Sequence, residues 1–85
     1  MEYAMYLESE RQAGRIKWWR RQIPIPIEIN GKHICKLIVD FLVELPSGER
    51  EYQEVKSKAT KTPIYNLKLK LLRATHPDIN YRIIE

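Results

Sequence analysis

Eighty-five residues make a chain of single-domain size, and 44% hydrophobic with 31% charged residues is ordinary for a globular domain and argues against intrinsic disorder. A chain this short buries only about 60–65% of the surface it exposes when unfolded, so a thin core is expected. The apolar runs, such as residues 37–43 with Asp40 inside, are too short to span a bilayer. Residues 1–9 carry acids and none of the basic residues of a secretory leader, and the lone Cys35 excludes both an internal disulfide and a cysteine-based zinc site. An intracellular, reducing setting is therefore expected. The formal net charge of +4 favours a polyanionic partner without identifying one.

In chain order, Glu2–Ala13 reads as a helix with Tyr3, Tyr6, Leu7 and Ala13 near one face and Gly14 as its C-cap. Arg15–Arg21 reads as a basic connection containing Trp18 and Trp19. Ile23, Ile25, Ile27 and Ile29 then alternate with Pro24, Pro26, Glu28 and Asn30, which predicts a strand, and the prolines push it to a sheet edge. Asn30-Gly31 predicts a type I′ hairpin turn, whose two central positions need positive φ. A second strand is expected from about His33 to Glu44, a turn at Pro46-Ser47-Gly48, and a third strand over Arg50–Ser57. Thr62 as N-cap and Pro63 at the first helical position open a Leu- and Lys-rich helix running to about Arg73 or Ala74. His76-Pro77-Asp78 breaks it, and Ile79–Ile84 is the last predicted strand. Residues 1–85 thus form one domain with the order helix, three antiparallel strands, helix, strand.

The second hairpin places the chemistry. A three-residue loop ending in Gly48 pairs Leu45 with Glu49, and counting outward sets Glu44 against Arg50, Leu42 against Tyr52 and Asp40 against Glu54. Lys56 then shares the face of Glu54. Opposed carboxylates in a half-buried sheet repel one another, and a divalent cation removes the conflict, because Mg²⁺ or Mn²⁺ takes hard oxygen ligands and keeps several waters. Asp40, Glu54 and the carbonyl of Val55 are the expected ligands. Lys56 beside them holds water or meets charge developing on a phosphate, a combination suited to hydrolysis of a phosphodiester. The competing reading of the same three residues is a solvated sheet face with Lys56 bridging two acids.

Val39-Asp40-Phe41 followed by Glu54-Val55-Lys56 resembles the PD-(D/E)XK motif of restriction-endonuclease-like proteins, with Val39 in place of the usual proline. The element order is similar to the αβββαβ core of that superfamily, an α+β arrangement with a mainly antiparallel sheet flanked by helices. Residues 3–8, 13–16, Trp18-Trp19 and Gln22 resemble the first helix and its exit in a group of small phage-encoded endonuclease-like members. Residues 67–71 and 76–79 resemble that group's second helix and last strand. The resemblance implies a metal-dependent DNA endonuclease with catalytic Asp40, Glu54 and Lys56, acting in a bacterial or phage-infected cytoplasm. Selectivity for branched DNA, as in a Holliday junction resolvase, is part of that implication. The alternative is a non-catalytic DNA-binding or interaction module that keeps the fold. One departure favours the alternative: the family's acidic residue near the start of its first helix aligns just before Met1, leaving Glu2, or less naturally Glu8 or Glu10, to replace it.

Lys58, Lys68 and Lys70 are the expected DNA contacts, the last two matching basic positions in the family's second helix, although a solvated helical face explains them as well. Trp18 and Trp19 among Arg11, Arg15, Lys17, Arg20 and Arg21 could stack bases; closing the core or an oligomer interface is the favoured role. With the proline-bearing edge strand, they lead to the expectation of a homodimer. His33 and His76 lack partners at ligand spacing and read as surface residues, and Cys35 reads as a small buried hydrophobe.

Overall fold

A computed structural model describes residues 2–55 and 62–84. These form two helices and four strands in an α+β fold: α1 (Tyr3–Gln12), β1 (Trp18–Ile29), β2 (Lys32–Glu44), β3 (Arg50–Val55), α2 (Pro63–Thr75) and β4 (Tyr81–Ile84). The strands make one mixed, mostly antiparallel sheet in the order β1-β2-β3-β4, with β4 parallel to β3.

Local chemistry sets the turns. Asn30 and Gly31 take φ of 52° and 79°, the pair of positive values a type I′ turn needs. At the second hairpin Leu45 N donates to Glu49 O (2.8 Å), Gly48 N donates to Leu45 O (2.9 Å), and Gly48 takes φ 93°. The register that follows is the expected one, with Glu44 opposite Arg50 and Leu42 opposite Tyr52. Thr62 Oγ1 accepts from Tyr65 N at 3.1 Å, so the cap and Pro63 open α2 as predicted.

Two boundaries and one buried face differ from the sequence reading. β1 starts at Trp18, not Ile23, because the backbone of residues 18–21 finds partners in residues 41–44 of β2. The last strand starts at Tyr81 and not at Ile79. On α1 the buried residues are Ala4 and Leu7, while Tyr6 is exposed, so the inner face is rotated toward Tyr3 and Ala4. Cys35 is only half-buried. β1 is the edge strand that Pro24 and Pro26 call for. Thirteen residues of β2 at ~3.3 Å each account for the molecule's 42 Å long axis.

The helices lie on opposite faces of the sheet. Neighbouring residues of β3 point opposite ways: Gln53 accepts from the Tyr3 hydroxyl of α1, whereas Tyr52 joins the cluster around Leu72 of α2. One core gathers Ala4, Leu7, Ile16, Phe41 and Val43, and the other gathers Ile25, Ile27, Leu37, Val39 and Leu72. Fully burying each of the larger side chains among them contributes about 1.5–3 kcal/mol.

β2 feeds both cores, and simple alternation would not allow it. Val39 and Phe41 are two residues apart, yet Val39 packs with α2 and Phe41 with α1. The switch falls on the residue between them, Asp40. The β1–β2 ladder runs Arg21↔Phe41 and then Ile23↔Val39, skipping the couple Gln22 and Asp40, and Gln22 adopts φ 53°. The ladder's register shift lies elsewhere, between Ile27 and Glu28, so the change of face falls at an unpaired couple across which the register is kept.

Candidate functional site

Asp40 therefore sits at the joint between the two cores. Its carboxylate reaches across to β3, where Oδ2 accepts the backbone N–H of Val55 at 2.9 Å. The β2–β3 ladder ends one pair earlier, at Phe41↔Gln53, so a side-chain bond continues where backbone pairing stops. Gln22 faces Asp40 from the edge strand in the left-handed region, a conformation that costs a non-glycine residue about 1–2 kcal/mol. Backbone strain of this kind clusters at functional sites.

Glu54 adjoins Val55 and is 2% exposed, the most deeply buried acid among the described residues. The Tyr81 hydroxyl donates to Glu54 Oε2 at 3.4 Å and lies 2.9 Å from the Tyr65 hydroxyl. Burial first, then the Tyr65 hydrogen bond and the negative charge of Glu54, push the Tyr81 phenol far up, so it stays protonated and donates. The chain Tyr65–Tyr81–Glu54 ties α2 and β4 to the acid, and sequence reasoning missed both tyrosines. The parallel pairing Tyr52↔Tyr81 that brings Tyr81 here has no local sequence signal.

Asp40 thus reaches the Glu54–Val55 segment through the Val55 N–H, while the expected pairing of Asp40 with Glu54 lies one step beyond the end of the ladder. Lys56 and Lys58 lie outside the described residues. Lys68 is half-buried on the helical turn after Tyr65, three residues on and hence on a neighbouring face, while Lys70 is exposed. Oxygen donors from Asp40, Glu54 and the Val55 carbonyl suit a magnesium-like cation that retains water. A third acid is not at hand: among the described residues no three His, Cys, Asp or Glu side chains gather closely enough to hold a metal.

The three acids of the first helix have other partners. Glu2 accepts from Arg21 at 2.7 Å, Glu10 accepts from Arg15, and Glu8 accepts from Arg11 (2.7 and 2.8 Å) and from the Trp19 indole (3.1 Å). Hydrogen bonds from Arg11 and then Trp19 hold the Glu8 carboxyl down to about 2. Trp19 also packs against the α1 core, which is the closing role favoured for it.

On the other face of the sheet, beneath α1, lies an open groove of about 840 Å³ lined by Tyr3, Leu7, Val43, Gln53 and Ile84 among others. Glu54 points away from it, into the α2 side. No family model, curated protein or solved structure matches the chain. Resemblance to the PD-(D/E)XK nucleases accordingly rests on this chain's own residues. No helix among the described residues is long and apolar enough to cross a membrane.

Proposed function

We propose that the chain is a metal-dependent DNA endonuclease of the PD-(D/E)XK kind, hydrolysing phosphodiester bonds at Asp40, Glu54 and Lys56. The observation that carries this reading is the meeting of Asp40 with the Glu54–Val55 segment, a buried acid and a half-buried one at a strained joint of the sheet. Asp40, Glu54 and the Val55 carbonyl would hold Mg²⁺ or Mn²⁺. Such an ion supplies Lewis-acid polarisation of the phosphodiester and acidifies water. Asp40 keeps its second oxygen available while Val55 N–H fixes the first, so its rotamer is set before any ligand arrives. The Tyr81 hydroxyl likewise holds Glu54 through its Oε2. Lys56, on the sequence pattern, orients water or meets charge on the phosphate, and Lys58, Lys68 and Lys70 contact the DNA backbone.

A homodimer belongs to this reading. Pro24 and Pro26 oppose strand-to-strand addition at β1, so the contact would use a face of the long hairpin, where Ile34 and Ile38 are 51% and 46% exposed. Light scattering at tens of micromolar tests it, and a monomer there contradicts it.

A second reading, a non-catalytic DNA-binding module on the same fold, is favoured by one observation. Glu2, Glu8 and Glu10 are engaged by arginines and none completes a three-acid cluster with Asp40 and Glu54. Incubating supercoiled, single-stranded and four-way-junction DNA with the protein, with and without Mg²⁺ or Mn²⁺, separates the two.

A further inference from the structure

We propose that Trp18, Arg20 and Arg50 form a binding subsite for the phosphate backbone of DNA, on the same sheet face as Glu54 and offset from it along β3. The inference rests on the reading above only in taking DNA as the ligand; it does not need the chain to cut.

Placement comes from the ladder. Trp18 pairs with Glu44 and Glu44 with Arg50, so the three lie in one row across the sheet. Arg50, Tyr52 and Glu54 alternate along β3 and share a face, four residues apart end to end. That separation is ~13 Å at about 3.3 Å per residue, close to the rise of about four nucleotides along one strand of a duplex at 3.4 Å each. A strand held at the acid pair can pass over this row.

Chemistry points the same way. The guanidinium of Arg20 lies 5.4 Å and that of Arg50 5.2 Å from the Trp18 ring centroid. Lys17 joins them, with its ammonium 3.6 Å from Glu44. Two cations thus pair with the Glu44 carboxylate and a third, Arg20, stands beside them over Trp18, which leaves net positive charge on this patch. Arg50 binds Glu44 through Nε at 3.1 Å, on a side chain 59% exposed, so its two terminal nitrogens remain for a planar, bidentate contact with phosphate. Among the described residues Arg20 makes no ion pair. A ring beneath a guanidinium restricts its rotamers, which lowers the entropy lost when phosphate binds. Glu44 is served by Arg50 and Lys17, so an ion-pair network on Glu44 does not account for Arg20.

The test is fluorescence anisotropy of labelled four-way-junction and duplex DNA with the full chain in Ca²⁺, over a series of salt concentrations. Arg20→Gln leaves no carboxylate unpaired and carries the test without a folding penalty. It should weaken binding several-fold and reduce the slope of log affinity on log salt by about one. Arg50→Gln should do the same, and Trp18→Ala should weaken binding more than Trp18→Phe, which keeps a ring. Lys32→Gln at the hairpin tip removes the same charge and should leave the slope as it was. Parental affinity and slope in Arg20→Gln overturn the subsite, as does a parent that binds no DNA. A parent that binds but never cuts, with Arg20→Gln weakened, supports the subsite and defeats the nuclease reading alone.

Discussion

Asp40 holds the backbone N–H of Val55 at 2.9 Å, one residue from the buried Glu54. This bond links the functional pair to the fold, and it can be tested apart from catalysis. Asp40→Asn keeps a carbonyl oxygen to accept from Val55 and should leave the urea midpoint close to the parent's. Asp40→Ala should cost about 0.5–1.5 kcal/mol, the net worth of a typical hydrogen bond. Both should lose metal-dependent cleavage. Equal stability for the alanine and asparagine variants would show that the bond contributes nothing.

Gln22 opposite Asp40 makes a prediction in the other direction. Its φ of 53° suits glycine, so Gln22→Gly should raise stability by about 1 kcal/mol. Gln22→Val should lower it, because a β-branched side chain is disfavoured at positive φ. Urea unfolding of the two variants measures both, and a destabilised glycine variant would place the side chain's interactions above the backbone strain.

Tyr81→Phe removes the hydroxyl that connects Tyr65 to Glu54. It should cost about 1–2 kcal/mol in urea unfolding, since the buried partners lose a hydrogen bond. Cleavage should fall less than tenfold, whereas Glu54→Gln, which takes away a proposed ligand, should abolish it. An equally inactive Tyr81→Phe would assign the phenol a part in the chemistry itself.

Acid lability follows from the first helix. Glu8 is held down to about 2 by Arg11 and Trp19, and Glu10 and Glu44 are lowered mainly by Arg15 and Arg50. Carboxyls whose folded values lie below the unfolded one bind fewer protons in the native state. Their contribution is therefore present above about pH 4.5 and is lost as pH falls toward about 2. The urea midpoint should drop across that window, and Glu8→Gln should flatten the drop. An unchanged acid limb in Glu8→Gln would remove Glu8 from the account.

The turns and the register were legible in the sequence because they depend on local chemistry. Asn30-Gly31 and Gly48 need backbone conformations that few residues adopt, and the 46–48 loop then fixes Glu44 against Arg50 by counting. The extension of β1 back to Trp18 was not legible, since nothing in Arg15–Arg21 alternates; its partners in residues 41–44 make it a strand. Nor was the face switch at Asp40. Leu37, Val39, Phe41 and Val43 read as one stripe, and only a skipped pair in the ladder divides them between two helices. Of the candidate site, Asp40 and Glu54 came from spacing. The tyrosines around Glu54 come from β4 lying parallel to β3, which is set by the crossover through α2. Arg20 and Arg50 on Trp18 likewise depend on a row formed by three strands.

Cleavage of supercoiled and four-way-junction DNA by the parent, Asp40→Asn and Lys56→Ala, with and without Mg²⁺ or Mn²⁺, tests the central claim most directly. The parent should cut only with metal, and both variants should be inactive while still folded and still binding DNA. Cleavage by Asp40→Asn and Lys56→Ala at the parental rate would contradict the site, and a parent that binds DNA without ever cutting it would contradict the enzyme.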